Sequence, residues 1–261
     1  MTRTPRRRGR PPSVSRETIA RAVIDVGFPN LTFAAVRRRL GVGESTLFRH
    51  APDRDELIRI TLDHVIEQTR WPSLDAPWRE VLRAYALTLW HAWAAYPGAA
   101  TAAVPGNLPL AAMRLVDDLC AMLMRQGFTA ENAVLACDIV FDLVNDNRRG
   151  VEHLDTVVRD AGPDRGHLHE LWTHTPPPEP AEHAATPAER SQIHAAMRAA
   201  ITAAPINWFA DKLAVVLDGI DCTLAPGPRP RGPDGGRRPG VSEDHAAGAG
   251  RCADRTGQAG I

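Results

Sequence analysis

Two groups of residues carry side chains whose chemistry suits a nucleic acid. Five of the first ten residues are arginine, and Arg6, Arg7, Arg8 and Arg10 crowd the stretch RRRGRPP. Guanidinium clusters attract phosphate whatever the base sequence. An extended Arg-Gly-Arg stretch is also narrow enough for a minor groove, whose negative potential draws inserted arginines. The second group follows Gly41 and Gly43: Glu44, Ser45, Thr46, Arg49 and His50, within GESTLFRH. On one short helix these side chains match the donors and acceptors at base-pair edges in a major groove. Arg49 is able to pair bidentately with guanine.

A helix-turn-helix is the element that would position the second group. Thr32 reads as the cap of a short helix carrying Phe33, Val36 and Leu40 inward. The chain turns at Gly41–Gly43, and a further short segment spans Glu44–His50. Phe33, Val36, Leu40, Val42 and Leu47 then lock the two helices at a steep angle and leave the polar side chains outward. Upstream, Ser15 caps a helix with Ile19, Val23 and Val26 on one face, stopped by Gly27 and Pro29. Downstream, Asp53 opens a connecting helix (53–71) with Leu57, Ile60, Leu62 and Val65 inward.

Charge is distributed to match. The 261-residue chain has a formal net charge of zero, yet residues 1–50 hold eleven arginines against three acids, a net of +8. Residues 51–224 hold fourteen basic residues against twenty-four acids, a net of −10. A basic module on an acidic body is the footprint of nucleic-acid binding at one end. No apolar run is long enough for a membrane helix, and the N-terminus lacks the apolar stretch of a signal peptide. The cysteines Cys120, Cys137, Cys222 and Cys252 form no CxxC pair and no disulfide framework. The expectation is a reduced, cytoplasmic protein with no membrane partner. With no nucleophile elbow, phosphate-cradling glycine loop or HExxH, neither an enzyme nor a cofactor is expected.

The rest of the chain reads as all-α, since strand and hairpin signals are lacking. A helix near Asp75–Tyr96 places Trp78, Leu82, Tyr85, Leu89, Trp93 and Tyr96 at spacings of three and four. Pro105–Pro109 reads as a loop, Leu110–Gln126 as a helix, and Thr129 opens another running to about Gly150. Residues 160–186, rich in Pro, His and acids, read as a mobile loop. Thr186-Pro187-Ala188-Glu189 has the capping-box form and starts a helix to about Ala203. Pro205 opens the last helix, through Leu224. The organisation expected is a disordered basic arm (1–14), a three-helix helix-turn-helix domain (15–52), a larger helical domain (53–224) for ligand binding and dimerisation, and a disordered tail (225–261) too poor in large apolar residues to order itself.

The stretches RETIARAVIDVG and LTFAAVRRRLGVGESTLFRHAPDRDEL resemble the TetR family of transcriptional regulators, and a looser similarity runs to about Ala225. PWREVLRAYALTLWHAWAAYPGAA and LMRQGFTAENAV are similar to its tetracycline-repressor-like branch. NWFADKLAVVLDGI looks like the family's last helix, which packs against the dimer mate. The resemblance implies a homodimer on double-stranded operator DNA, released by a small-molecule effector whose identity the sequence does not give. By position it implies phosphate or groove-edge contacts from Thr32 and Thr46, and base reading by Glu44, Ser45, Arg49 and His50. Phe48 stands where the family usually has tyrosine, so a hydroxyl contact to phosphate is lost. Arg54 stands where lysine is usual and keeps the positive charge, and Arg37 stands where alanine is preferred.

The resemblance also implies a pocket among the helices at 75–96, 108–126 and 129–150, with Tyr85, Leu89, Trp90, Trp93, Met113, Met122 and Phe141 as lining candidates. The same aromatic stripe reads as plain core. Asp142 and Asn145 share a helical face with Asp138; if buried, such carboxylates need partners, which a cationic ligand would supply. Otherwise this face is solvated or pairs with Arg148 and Arg149. Tetracycline itself does not fit. The branch's magnesium-coordinating histidine falls at Ala102, a pocket asparagine at Tyr85, a pocket phenylalanine at Leu89 and a glutamate at Gly150.

Two alternatives remain. His153, His167, His169, His174 and His183 could hold zinc or nickel in a metal sensor or metal-dependent protein. An architectural DNA-binder with no effector is the other. For the arm the expectation is specific: removing residues 1–12 weakens DNA binding across all sequences and flattens the slope of log affinity against log salt. A slope unchanged by the truncation would take the arm out of the interface.

Overall fold

The structure, a computed structural model, describes residues 14–103, 109–161 and 185–227. The arginine arm at 6–10, the histidines at 167, 169, 174 and 183, most of the expected 160–186 loop and most of the 225–261 tail lie outside the described residues. Among those described there are ten α-helices and one 3-10 turn, and no strand. The helices are α1 (Arg16–Val26), α2 (Phe33–Leu40), α3 (Glu44–Phe48), α4 (Arg54–Gln68), α5 (Trp78–Ala95), α6 (Ala99–Ala102), α7 (Leu110–Arg125), α8 (Ala130–Ala161), α9 (Pro187–Thr202) and α10 (Pro205–Thr223), with the 3-10 turn at Phe28–Asn30.

Helix starts follow from local hydrogen-bond chemistry, because the first N–H groups of a helix need acceptors outside it. Ser15 Oγ accepts the Thr18 N–H at 3.2 Å, while the Ser15 N–H donates to Thr18 Oγ1 at 2.8 Å. Thr32 Oγ1 accepts from Ala35 at 3.1 Å and Asp53 Oδ1 from Glu56 at 2.7 Å. Thr186 and Glu189 form a reciprocal box, and accepting the Thr186 N–H and hydroxyl holds the Glu189 carboxyl below its ordinary range.

Two boundaries differ from expectation. The helix after the turn stops at Phe48 rather than His50, because the His50 and Ala51 N–H groups both close onto the Leu47 carbonyl at 2.9 Å. The helix expected to end near Gly150 runs on to Ala161. A glycine inside a helix costs only about 1 kcal/mol. Here Val151 is buried directly after it, and the buried Arg148 faces Glu152 at 3.8 Å one turn on.

The described residues gather into two compact units, one from 14–70 with 90–103 and 109–115, the other from 71–89 with 116–161 and 185–227. In the first, α1 packs along α4 and α2. Its core holds Ile19, Val23, Phe28, Val36 and Leu47 together with Leu57, Ile58, Ile60, Leu62 and Val65 of α4. Just before α6, whose Ala99 and Ala100 are wholly buried, Gly98 adopts φ +88°. A Cβ there would lie 2.9 Å from Phe28 Cβ and 3.0 Å from Pro29 Cδ. Only glycine suits both the dihedral and the gap.

In the second unit α10 packs along α8. Phe209, Leu213, Leu217 and Ile220 are buried from α10, and Leu119, Met122, Leu123, Ala136, Val140 and Val144 from α7 and α8. Gln126 fastens the start of α5, with Oε1 accepting the Trp78 N–H at 2.7 Å and Nε2 donating to the Ala76 carbonyl at 3.0 Å. Asn132 Nδ2 donates to the Leu224 carbonyl at 3.0 Å, which closes the end of α10. No single helix among the described residues is long and apolar enough to cross a membrane.

Gly98→Ala is expected to lower the unfolding free energy by about 1–3 kcal/mol, from the positive φ and the overlap with Phe28. Chemical denaturation measures it, and an unchanged midpoint would show that the 28–30 turn yields freely.

Candidate nucleic-acid interface

The α3 helix is too short to be stable by itself, since a single turn fixes several residues for few hydrogen bonds. What holds it is its setting. Gly41 ends α2 in the left-handed region at φ +67°, and the Val42 N–H returns to the Arg37 carbonyl at 3.3 Å. The Gly43 carbonyl then accepts from Thr46 at 3.1 Å and Leu47 at 3.2 Å. Leu47 is completely buried, and no other α3 residue is.

The remaining side chains of the segment face outward. Glu44, Ser45, Arg49 and His50 are exposed, and Thr46 is half-buried. Phe48 is 57% exposed, so its ring lies at the surface beside the polar side chains instead of filling the core. Arg49 Nε donates to the Ser45 carbonyl at 3.3 Å, which lays the guanidinium along the helix. Thr32, also exposed, spends an oxygen lone pair on its cap and keeps its hydroxyl proton for donation. Arg54 Nε donates to the Leu31 carbonyl at 3.3 Å and so ties the start of α4 to the entry of α2. Arg39 pairs with Asp25 between α2 and α1. The arrangement is a shallow, polar, partly cationic strip on a rigid base, suited to groove contact.

Sequence reading missed what supports that base. Asp63, in the middle of α4, is only 8% exposed. Its Oδ2 accepts from the Arg16 guanidinium at 3.1 Å, and its Oδ1 accepts the Ala111 N–H at 2.9 Å. Arg16 also donates to Glu56 Oε1 at 3.2 Å, and the other Glu56 oxygen takes Arg59. One buried carboxylate thus joins the first residue of α1 to the first turn of α7, where helix N–H groups lack acceptors of their own. The signal was present in the sequence: a charged residue within the apolar run ITLDHVI, at a position every helical face of that run would bury.

The ligand-binding candidates are divided between the two units. Trp90 and Trp93 are buried in the first, where Met113 is 49% exposed. Tyr85, Leu89 and Met122 are buried in the second, Phe141 and Asn145 are half-buried, and Asp142 is exposed. The Tyr85 hydroxyl donates to the Pro72 carbonyl at 3.0 Å, and its ring stacks on Trp71 with centroids 5.2 Å apart. Burial, and then the Asp118 carboxylate, push the phenol up, so the hydroxyl stays a donor. Partial burial and the neighbouring Asp138 and Asp146 carboxylates push the Asp142 carboxyl up, against the pull of Arg149, which itself pairs with Asp146. Among the described residues no group of three or more His, Cys, Asp or Glu is arranged to hold a metal ion. His153, the one member of the histidine group that is described, is exposed.

No protein-family model and no curated protein matches the sequence. Solved structures do match the fold. ActR of Streptomyces coelicolor, in complex with actinorhodin, superposes with a TM-score of 0.64 at 17% identity over 81% of this chain and 97% of its own. A TetR-type transcriptional regulator of the same organism gives 0.59 at 21% identity over 79% and 97%. A TetR variant from Acinetobacter baumannii AYE, in complex with minocycline, gives 0.55 at 16% identity over 80% and 97%. The fold of this chain is that of these regulators: all-helical, with a helix-turn-helix near the N-terminus.

The Asp63 junction makes a stability prediction. Asp63→Ala is expected to cost about 1.5–3 kcal/mol, because a charge-assisted acceptor is removed from two donors. Asp63→Asn should cost less, since its carbonyl oxygen still serves Ala111. In a double-mutant cycle with Arg16→Gln, the Arg16–Asp63 coupling should stay below about 1 kcal/mol, because the arginine end is open to solvent. Equal losses for Ala and Asn would mean that the Ala111 bond contributes nothing.

Proposed function

We propose that this chain, built on the TetR fold, is a ligand-responsive transcriptional regulator of that family, which binds operator DNA as a homodimer and is released by a small-molecule effector. It acts by binding, not by catalysis. The observation that carries the reading is α3: one fully buried leucine fixes a helix whose Glu44, Ser45 and Phe48, with neighbouring Arg49 and His50, are all presented outward. In this reading Glu44, Ser45, Arg49 and His50 meet base edges, with Thr32, Thr46 and Phe48 at the groove edge and Arg54 near phosphate. The charge of the arm at Arg6–Arg10 supports additional phosphate and minor-groove contacts.

Dimerisation is supported by apolar side chains left open on two helices of one unit. Val134, Leu135 and Ile139 of α8 and Trp208 and Val215 of α10 are all exposed, Val215 to 72%. A second copy of the chain, laying the same two helices against these, would cover them through a self-complementary interface. Two half-sites one helical turn apart would follow from that symmetry. The effector is supported by the small molecules bound to ActR and to the TetR variant. Release of DNA requires that the effector favour a state with mis-spaced α3 helices, because a ligand shifts an equilibrium only by its differential affinity. The Asp63 junction between α1, α4 and α7 is the route by which movement at the start of α7 would reach the reading helices.

The direct test is a gel shift on DNA from the protein's own promoter region, with the folded dimer verified by sedimentation. Failure to outcompete unrelated DNA at physiological salt would overturn the reading. Within it, Arg49→Ala is expected to cost about 1–3 kcal/mol of operator affinity and to relax base preference at one position of each half-site. A uniform loss across all base substitutions would instead assign Arg49 to phosphate.

A further inference from the structure

Two of the four cysteines, distant in the sequence, meet in the fold. Cys120 of α7 and Cys137 of α8 bring their sulfurs to 3.8 Å, with the Cys120 thiol donating to the Cys137 sulfur. Both are free thiols. Their surroundings differ: Cys137 is 1% exposed, whereas Cys120 is only partly covered. One thiol is open to a reagent and the other waits behind it, the arrangement of an attacked cysteine beside a resolving one. The two helices follow one another in the chain, and the turn between them is fixed by the Phe128 N–H returning to the Leu123 carbonyl at 3.2 Å. Closing the sulfurs means shortening their 3.8 Å separation to a bond of about 2.05 Å.

We propose that Cys120 and Cys137 are a dithiol that a hydroperoxide closes into a disulfide joining α7 to α8. The Cys120 sulfur attacks the terminal peroxide oxygen. The O–O bond breaks, and the remaining oxygen leaves as an alcohol, or as water from hydrogen peroxide, after taking up the thiol proton. Cys120 is left as a sulfenic acid. The Cys137 sulfur then attacks the Cys120 sulfur, the S–O bond breaks, and the hydroxyl leaves as water with the Cys137 proton. Two thiols lose two electrons and the peroxide gains them. The proposal stands on the sulfur geometry and is independent of the DNA-binding reading.

The same surroundings set the rate. Burial first, then the Asp117 carboxylate, push the Cys120 thiol up against the lowering effect of its bond to Cys137. Burial, the Cys120 sulfur and the Asp138 carboxylate push the Cys137 thiol up further. The thiolate is the nucleophile, so closure is slow near neutrality and quickens as pH rises.

The experiment uses the full chain carrying Cys222→Ser and Cys252→Ser, treated with hydrogen peroxide at neutral and mildly alkaline pH, alkylated and weighed intact. The expected result is loss of the mass of two hydrogen atoms and of both alkylatable thiols, faster at the higher pH and reversed by dithiothreitol. Digestion should yield a peptide linking Cys120 to Cys137, and thermal unfolding should move up by several degrees. The unsubstituted chain, mapped in parallel, should give the same linked peptide, which covers any misfolding of the serine variant. Cys120→Ser should abolish it. Thiols that stay alkylatable, oxygen adducts without a linked peptide, or a link to another cysteine or another copy of the chain would each overturn the proposal.

Discussion

The first compact unit depends on a charge placed where little water reaches. A carboxylate inside an apolar helix must be given partners, because an uncompensated buried ion costs several kcal/mol. Asp63 receives two, from opposite directions: the guanidinium of Arg16 at the start of α1 and the backbone N–H of Ala111 at the start of α7. Around it α4 is apolar on almost every side, from Leu57 through Ile66. That leaves no solvated face to which the carboxylate could turn. The junction is thereby directional: its Ala111 bond lies on the covered side of the carboxylate, while its Arg16 side stays open to solvent. The close approach of Gly98 to Phe28 and Pro29 is a second contact between the 90–115 segment and the helix-turn-helix. Both contacts tie this segment to the first unit, with which its described residues gather.

Much of this was legible in the sequence wherever the chemistry is local. Ser15, Thr32, Asp53 and Thr186 all cap helices as their residue types imply, because a cap and the N–H groups it satisfies lie within four residues of each other. Of the five apolar residues expected between the two helices, Val36 and Leu47 are buried, and Phe33, Leu40 and Val42 are half-buried. The all-α organisation with an early helix-turn-helix likewise rests on short-range periodicity and on glycines.

What escaped is non-local. Nothing near Asp63 in the sequence points to Arg16 or Ala111, and nothing near Gln126 points to the start of α5. Periodicity placed Tyr85 on an inward stripe, and it is buried there. It could not say that the hydroxyl is engaged by Pro72 or that the ring stacks on Trp71. It also could not tell a covered face from an open one: Met113 and Asp142 lie on the expected helices with their side chains outward. Gly150, read as a stop, is carried through by burial on either side of it, a tertiary effect overriding a local preference.

The single buried leucine of α3 has a consequence for how such a protein diversifies. Because Leu47 is the one wholly buried residue of α3, its exposed neighbours Glu44, Ser45 and Phe48 carry little of the core. Exchanging Glu44, Ser45, Arg49 or His50 alters what the surface meets without disturbing what holds it up. Vocabulary and grammar are kept on separate residues. A duplicated copy of this chain could therefore present a different surface at α3 through a few exposed substitutions, while the junction at Asp63 and the seat of Gly98 stay as they are.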